Sequence, residues 1–152
     1  VMVILILAIL AIAILPRIPS TSIYTQRGYQ DMLLQALQYG RDIAMARGCR
    51  VQAVIYGNDF YFMQDANCDS STYLRSRFTQ PIYQPDQSTR LEYNRYNVEG
   101  HAAIGTASNI LVFEPSGTAS LDNAGVLGSF STVTITADTR SYTLYGDTAY
   151  VE

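Results

Sequence analysis

Cys49 and Cys68 are the two cysteines of this chain, and His101 is its one histidine. Two thiols and a distant imidazole lack the close ligand spacing of a zinc site. The thiols read either as a disulfide or as two buried free cysteines, and their types alone leave both open. Asp65, Asn67 and Asp69, in the run DANCD, match the first three alternating oxygen positions of a calcium loop. That loop needs glycine at its sixth position and glutamate at its twelfth, where this chain has Ser70 and Ser76. The run therefore reads as a solvated acidic loop, with calcium as the competing reading. No serine stands in a nucleophile elbow and no glycine-rich run suits a phosphate, so His101 reads as structural. These residues point to no enzyme and no cofactor.

Charge bears on partners. All ten positive side chains are arginine, against 13 acidic ones, for a net charge of −3. Arg75, Arg77, Arg90 and Arg95, interspersed with tyrosine, make the one candidate phosphate patch. After His101 the only cation is Arg140, and the chain closes on the acidic GDTAYVE. That balance argues against nucleic acid as a partner.

The elements that position these residues begin with VMVILILAILAIAIL, residues 1–15, which carry no charge and no hydrogen-bonding side chain. As a helix this run is about 22 Å long, shorter than the ~30 Å hydrocarbon core by roughly five residues. A secretory apolar region, a membrane helix and a helix buried among copies of itself all compete for it. The following segment, STSIYTQRGYQDMLLQALQYGRDIAMAR, separates them. Tyr29, Leu33, Ala36, Leu37, Gly40, Ile43, Ala44 and Arg47 recur at helical spacing and form one stripe. Ser20 or Ser22 suits the N-cap, and Gly48 suits the left-handed residue after the last turn. Pro16 and Pro19 bend or loosen a helix without having to end it. One long kinked helix is thus predicted, with residues 1–19 apolar all round and residues 20–48 amphipathic.

After Gly48 the period changes to that of strands. RVQAVIY and DFYFMQ flank Gly57-Asn58 as a hairpin, and NILVFEPSGTASL gives two strands about a Pro-Ser-Gly turn. STVTITAD, RSYTLYG and TAYVE continue as a meander, with turns near Asp138-Thr139 and Gly146-Asp147. Residues 67–105 read as loop, with weak strands around residues 90–96. Twelve tyrosines and no tryptophan suit an exposed β-rich body. The fold class is α+β: a long N-terminal helix packed by its stripe on an antiparallel sheet, with residues 49–152 as the β-rich domain.

A wholly apolar helical start leading into an amphipathic helix and a β-domain resembles a type IV pilin. GRDIAMARGCRVQAVIY, ILVFEPSGTASL and VTITADTRSYTLYGDTAYVE resemble the GspH/FimT pseudopilin family in its helix end and first strand, its strand–turn–strand and its last strands. The cysteine pair and the LPRIPS join further resemble minor pilins of mannose-sensitive haemagglutinin (MSHA) pili. The resemblance implies a structural subunit that helps initiate or cap a filament, or a type II secretion pseudopilus. An adhesin-like or DNA-binding tip subunit is a third implication. Its partners would be other major and minor pilins, the inner membrane with its assembly platform, and prepilin peptidase acting on the precursor. Cleavage by that peptidase implies a Phe and a Glu in a short piece ahead of Val1.

In this reading residues 1–15 first sit in the inner membrane and later in a bundle of like helices. Val1, Ile4, Ala8, Ala11, Leu15 and Pro16 mark that assembly segment, its small residues permitting close packing. The β-domain is then extracytoplasmic. There Cys49 and Cys68 are expected to form a disulfide, closing a loop of about 20 residues worth about 3 kcal/mol.

Overall fold

In the computed structural model the described residues are 21–57, 59–69, 71–93, 102–104, 109–137 and 139–152. Helix α1, Thr21–Arg47, occupies 27 residues. Ser22 lies within this range, while Ser20 falls outside the described residues. At the other end Gly48 takes φ +65° and the Cys49 N–H donates to the Ala44 carbonyl, 3.2 Å. This six-residue closure satisfies an orphan carbonyl and turns the chain directly into the first strand.

The strands are β1 (Val51–Tyr56), β2 (Asp59–Asp65), β3 (Phe78–Pro81), β4 (Glu92–Tyr93), β5 (Ala102–Ile104) and β6 (Ile110–Phe113). They continue with β7 (Ala119–Asn123), β8 (Val126–Ser129), β9 (Thr132–Ala137), β10 (Arg140–Tyr145) and β11 (Tyr150–Val151). They fall into two sheets rather than one. The larger has the order β3-β2-β1-β6-β7-β8, with β4 also on β2; the smaller runs β11-β10-β9-β5. All observed pairings are antiparallel.

Three predicted turns are present. Tyr56 pairs Asp59 across a two-residue loop with Gly57 at φ +57°. The Pro-Ser-Gly turn closes with Gly117 at φ +84° and its N–H on the Glu114 carbonyl, 3.0 Å. Ala137 pairs Arg140 about residues 138–139. The turn after β10 is a four-residue connection, since Tyr145 pairs Tyr150. The stretch 67–105 holds more order than predicted: a 3-10 turn at Arg75–Arg77, then β3, β4 and β5.

One hydrophobic core joins the helix to both sheets. Tyr29, Leu33, Ala36, Leu37 and Ala44 of the α1 stripe are buried with Val51, Ala53, Ile55, Phe60, Phe62, Leu111 and Phe113 of the larger sheet. Val133, Ile135, Ala137, Tyr142 and Leu144 of the smaller sheet complete the same cluster. Each large aliphatic side chain removed from water here contributes about 1.5–3 kcal/mol. Gly40 lets α1 close in: a Cβ there would stand 2.7 Å from the Phe62 ring. Two buried polar ties, besides the exposed Asp31–Arg140 ion pair, fix the helix on the smaller sheet. The Gln30 amide donates to the Ala137 carbonyl (3.0 Å), and the Tyr142 hydroxyl donates to the Gln30 carbonyl (3.2 Å).

The register sorts the strands by face, since alternate residues point to opposite sides. Val51, Ala53 and Ile55 of β1 face the helix, so Gln52, Val54 and Tyr56 face away. Across the ladders Val54 stands opposite Tyr61 and Ile110, Tyr61 opposite Glu92, and Gln52 opposite Val112.

Candidate functional site

Cys49 and Cys68 are joined as a disulfide, with their Cα atoms 4.4 Å apart. The helix closure at Gly48 delivers Cys49 to the foot of β1. The strand β2 runs back alongside and delivers residues 66–68 to the same end. There the chain turns sharply, with the Asn67 N–H on the Asp65 carboxylate (2.9 Å) and Cys68 at φ +51°. Arg47, in the last turn of α1, donates to the Gln64 side chain at 2.7 Å and clamps the helix end over the same corner. Beside it Arg50 and Glu114 form a nearly buried ion pair, 2.7 Å.

From this corner residues 66–77 run as a strap over the face turned away from the helix. Its far tie is Asp122 of β7. The Tyr73 hydroxyl donates to Asp122 Oδ2 at 2.5 Å, Arg75 Nε at 2.7 Å, and the Gly125 N–H donates to Oδ1 at 2.6 Å. Beneath the strap Gln52, Val112 and Asp122 are buried although they face away from the helix. Burial alone would raise the Asp122 carboxyl, but the donors Arg75, Tyr73 and Gly125 outweigh it and hold the group below the ordinary carboxylate range. The Tyr73 phenol is pushed up, first by burial and then by the carboxylate it bonds.

The acidic run is part of this corner. Asp69 accepts the Ser71 hydroxyl (2.6 Å) and N–H (2.9 Å) and pairs with Arg77 at 3.1 Å. These bonds, those of Ser71 first, lower the Asp69 carboxyl to about 2. Asp65 is buried and turned onto Asn67. Among the described residues no group of three or more His, Cys, Asp or Glu is placed to hold a metal. The arginine patch divides too: Arg75 serves Asp122, Arg77 serves Asp69, Arg90 lies exposed near Tyr83, and Arg95 is outside the described residues.

A structural neighbour shares this arrangement of one helix on an antiparallel body. It is the type IV minor pilin FimU of Pseudomonas aeruginosa strain PAO1, with TM-score 0.53 and 14% identity, covering 88% of this chain and 91% of that one. The fold is type IV pilin-like. No family model matches the sequence. No curated protein matches it either.

In this pilin-like fold Val1, Ile4, Ala8, Ala11, Leu15 and Pro16 lie outside the described residues, as does His101. Among the described residues no helix is long and apolar enough to cross a membrane. Tyr73 and Asp122 carry the strap's far tie and were missed in the sequence. The one local signal was Asp122 three residues before Gly125, the Asp-x-x-Gly spacing that a β-turn favours.

Proposed function

We propose that this chain is a minor pilin, a structural subunit that helps initiate or cap a type IV filament. The observation that carries the reading is the fold, in which an amphipathic helix laid on an antiparallel body is preceded in sequence by the charge-free residues 1–15. Residues 1–19 would be the membrane and filament-core segment, 20–48 the amphipathic half, and 49–152 the surface domain. The cysteine pair and the sequence resemblance favour an MSHA-like pilus within the GspH/FimT group. A type II secretion pseudopilus is the alternative within the same mechanism. Partners are then other pilins, the inner membrane and its assembly platform, and prepilin peptidase on the precursor. Processing and insertion come first, followed by transfer of the apolar helix from lipid to a bundle of like helices.

The decisive test replaces Ala11 with Asp in cells that assemble the filament. An ionised group in hydrocarbon costs about 3 kcal/mol on insertion scales, so membrane retention and filament number should both fall sharply. Fractionation and filament counting read the result. Filaments formed at normal number, with the variant in them, would overturn the proposal.

A further inference from the structure

The two sulfurs of the disulfide sit in unlike surroundings. Cys49, between the end of α1 and the start of β1, is 4% exposed. Cys68 is exposed, on the turn that the Asp65 carboxylate closes by accepting the Asn67 N–H. The buried Gln64 side chain donates its amide N–H to Cys68 Sγ at 3.6 Å, and Arg47 donates to the Gln64 oxygen at 2.7 Å. This chain of donors stabilises negative charge on the outer sulfur. Cys49 has the opposite setting. It lies just beyond the C-terminus of α1, whose dipole opposes a thiolate, and its neighbours Arg47 and Arg50 are engaged with Gln64 and Glu114.

Thiol–disulfide exchange depends on access to the attacked sulfur and on the thiolate that leaves. Leaving-group chemistry alone would send an attacking thiolate to Cys49, so that the better-stabilised Cys68 thiolate is expelled. Burial overrides it, because Cys49 offers the attacker no path. We propose that Cys68 is the exchange sulfur of this chain, where a partner thiol or disulfide forms its mixed disulfide, and that Cys49 is the resolving thiol. In the closing direction the Cys68 thiolate attacks a sulfur of the partner's disulfide and expels the partner's first thiolate. Cys49 then gives up its proton to water, attacks Cys68 Sγ and expels the second thiolate. The chain loses two electrons and the partner disulfide gains them. In the opening direction a partner thiolate bonds to Cys68 Sγ, the bond between the two Sγ atoms breaks, and the electron pair leaves on Cys49, which takes up a proton. Contacts outside the bridge keep the two thiols close between these steps. They are the Asp65 N–H on the Arg50 carbonyl (3.0 Å), the Ala66 N–H on the Arg77 carbonyl (3.0 Å) and the Asp69–Arg77 pair (3.1 Å). The bridge therefore closes readily and opens slowly, since opening must expel the less stabilised thiolate. The proposal concerns the folded chain and holds whether or not it enters a filament.

The test uses the full chain in neutral detergent, with glutathione as the probe. The oxidised parent is given reduced glutathione, quenched with N-ethylmaleimide, digested and mapped by mass spectrometry. Singly exchanged molecules should carry glutathione on Cys68 and maleimide on Cys49, in roughly tenfold or greater excess over the reverse. Cys49→Ser, which leaves Cys68 as the sole thiol, should react with oxidised glutathione about tenfold or more faster than Cys68→Ser. In strong urea the two rates should converge to within about threefold, because the difference comes from burial. Near-ultraviolet dichroism checks that each variant is folded, and the adduct map on the parent needs neither of them. Glutathione on Cys49, an even mixture, or equal rates in the folded variants would each overturn the proposal. So would a rate ratio that survives urea, or a bridge that glutathione opens only in urea.

Discussion

Arg75 Nε lies 2.7 Å from Asp122 Oδ2, and the pair bridges 47 residues of sequence. The two ends are unequal: the Asp122 side chain is fully buried, whereas the Arg75 side chain is 48% exposed. The carboxylate therefore depends on its donors far more than the guanidinium depends on the carboxylate. With the disulfide at Cys68, this pair ties the strap to the body, while its two ends are closed on each other by the Ala66 N–H on the Arg77 carbonyl (3.0 Å) and by the Asp69–Arg77 pair (3.1 Å).

The first prediction follows from that inequality. Arg75→Ala leaves a buried carboxylate with Tyr73 and the Gly125 N–H as its donors, and should cost about 2 kcal/mol, below the 3–5 kcal/mol of fully buried pairs because Arg75 is half exposed. Asp122→Asn alone keeps the shape and removes the charge. The double variant should therefore be less destabilised than the sum of the two singles, by at least about 1 kcal/mol. Urea unfolding of the four proteins measures this; strictly additive losses would contradict the clamp.

Acid should loosen the same strap. The folded pKa values of Asp69 and Asp122 are both lowered, Asp69 to about 2 from an ordinary 3.8. A depressed carboxylate contributes stability that is complete above its unfolded pKa and is lost as the pH falls through its folded one. The urea midpoint should thus hold steady above the ordinary 3.8 and drop as the pH approaches about 2. In Asp69→Asn with Asp122→Asn the drop should be shallower. An identical pH profile in that variant would show that other carboxylates govern acid unfolding.

The features easiest to read in the sequence were those set by local periodicity or turn chemistry. The stripe from Tyr29 to Ala44 is buried because helical spacing alone decides which side meets the sheets. Gly57 and Gly117 mark turns because their left-handed backbone suits them. The hairpin β7–β8 was invisible, since its turn places Ala124 at φ +53°, a conformation alanine rarely adopts, and β8 has only four residues including Gly128. The strap read as loop because its order comes from long-range partners, 47 and 49 residues away, and no local pattern announces them. The division into two sheets was hidden for the same reason: strand spacing does not say which neighbour a strand will pair.

The disulfide gives a third prediction, with a local and a global part. Cys49→Ser with Cys68→Ser should cost about 3 kcal/mol, the value for a loop of this length on the chain-entropy account. Before global unfolding, amide exchange in residues 66–77 should rise more than in β1 or β6, because the strap loses its covalent tie to the helix end. Hydrogen exchange by mass spectrometry reads both. Uniform loss of protection across β1, β6 and the strap would mean that the bridge stabilises the whole body and not this segment.

Gly40 offers the most direct test of how α1 meets the sheet. A Cβ there would stand 2.7 Å from one Phe62 ring carbon and 2.9 Å from the next, and 3.5 Å from the Phe113 ring. Glycine in a helix interior is itself unfavourable, and alanine would ordinarily help by roughly 0.5–1 kcal/mol. Here the contact reverses that sign. Phe62 is buried in the core cluster, so either its ring or the helix must shift against packed neighbours, at a cost of about 1–3 kcal/mol. Gly40→Ala should therefore lower the melting temperature, while Gly28→Ala, where nothing lies within 4 Å of the added carbon, should raise it or leave it unchanged. Adding Phe62→Leu should recover part of the Gly40→Ala loss by shortening the side chain that clashes. If Gly40→Ala were as stable as the parent, α1 would not approach β2 as closely as this packing requires.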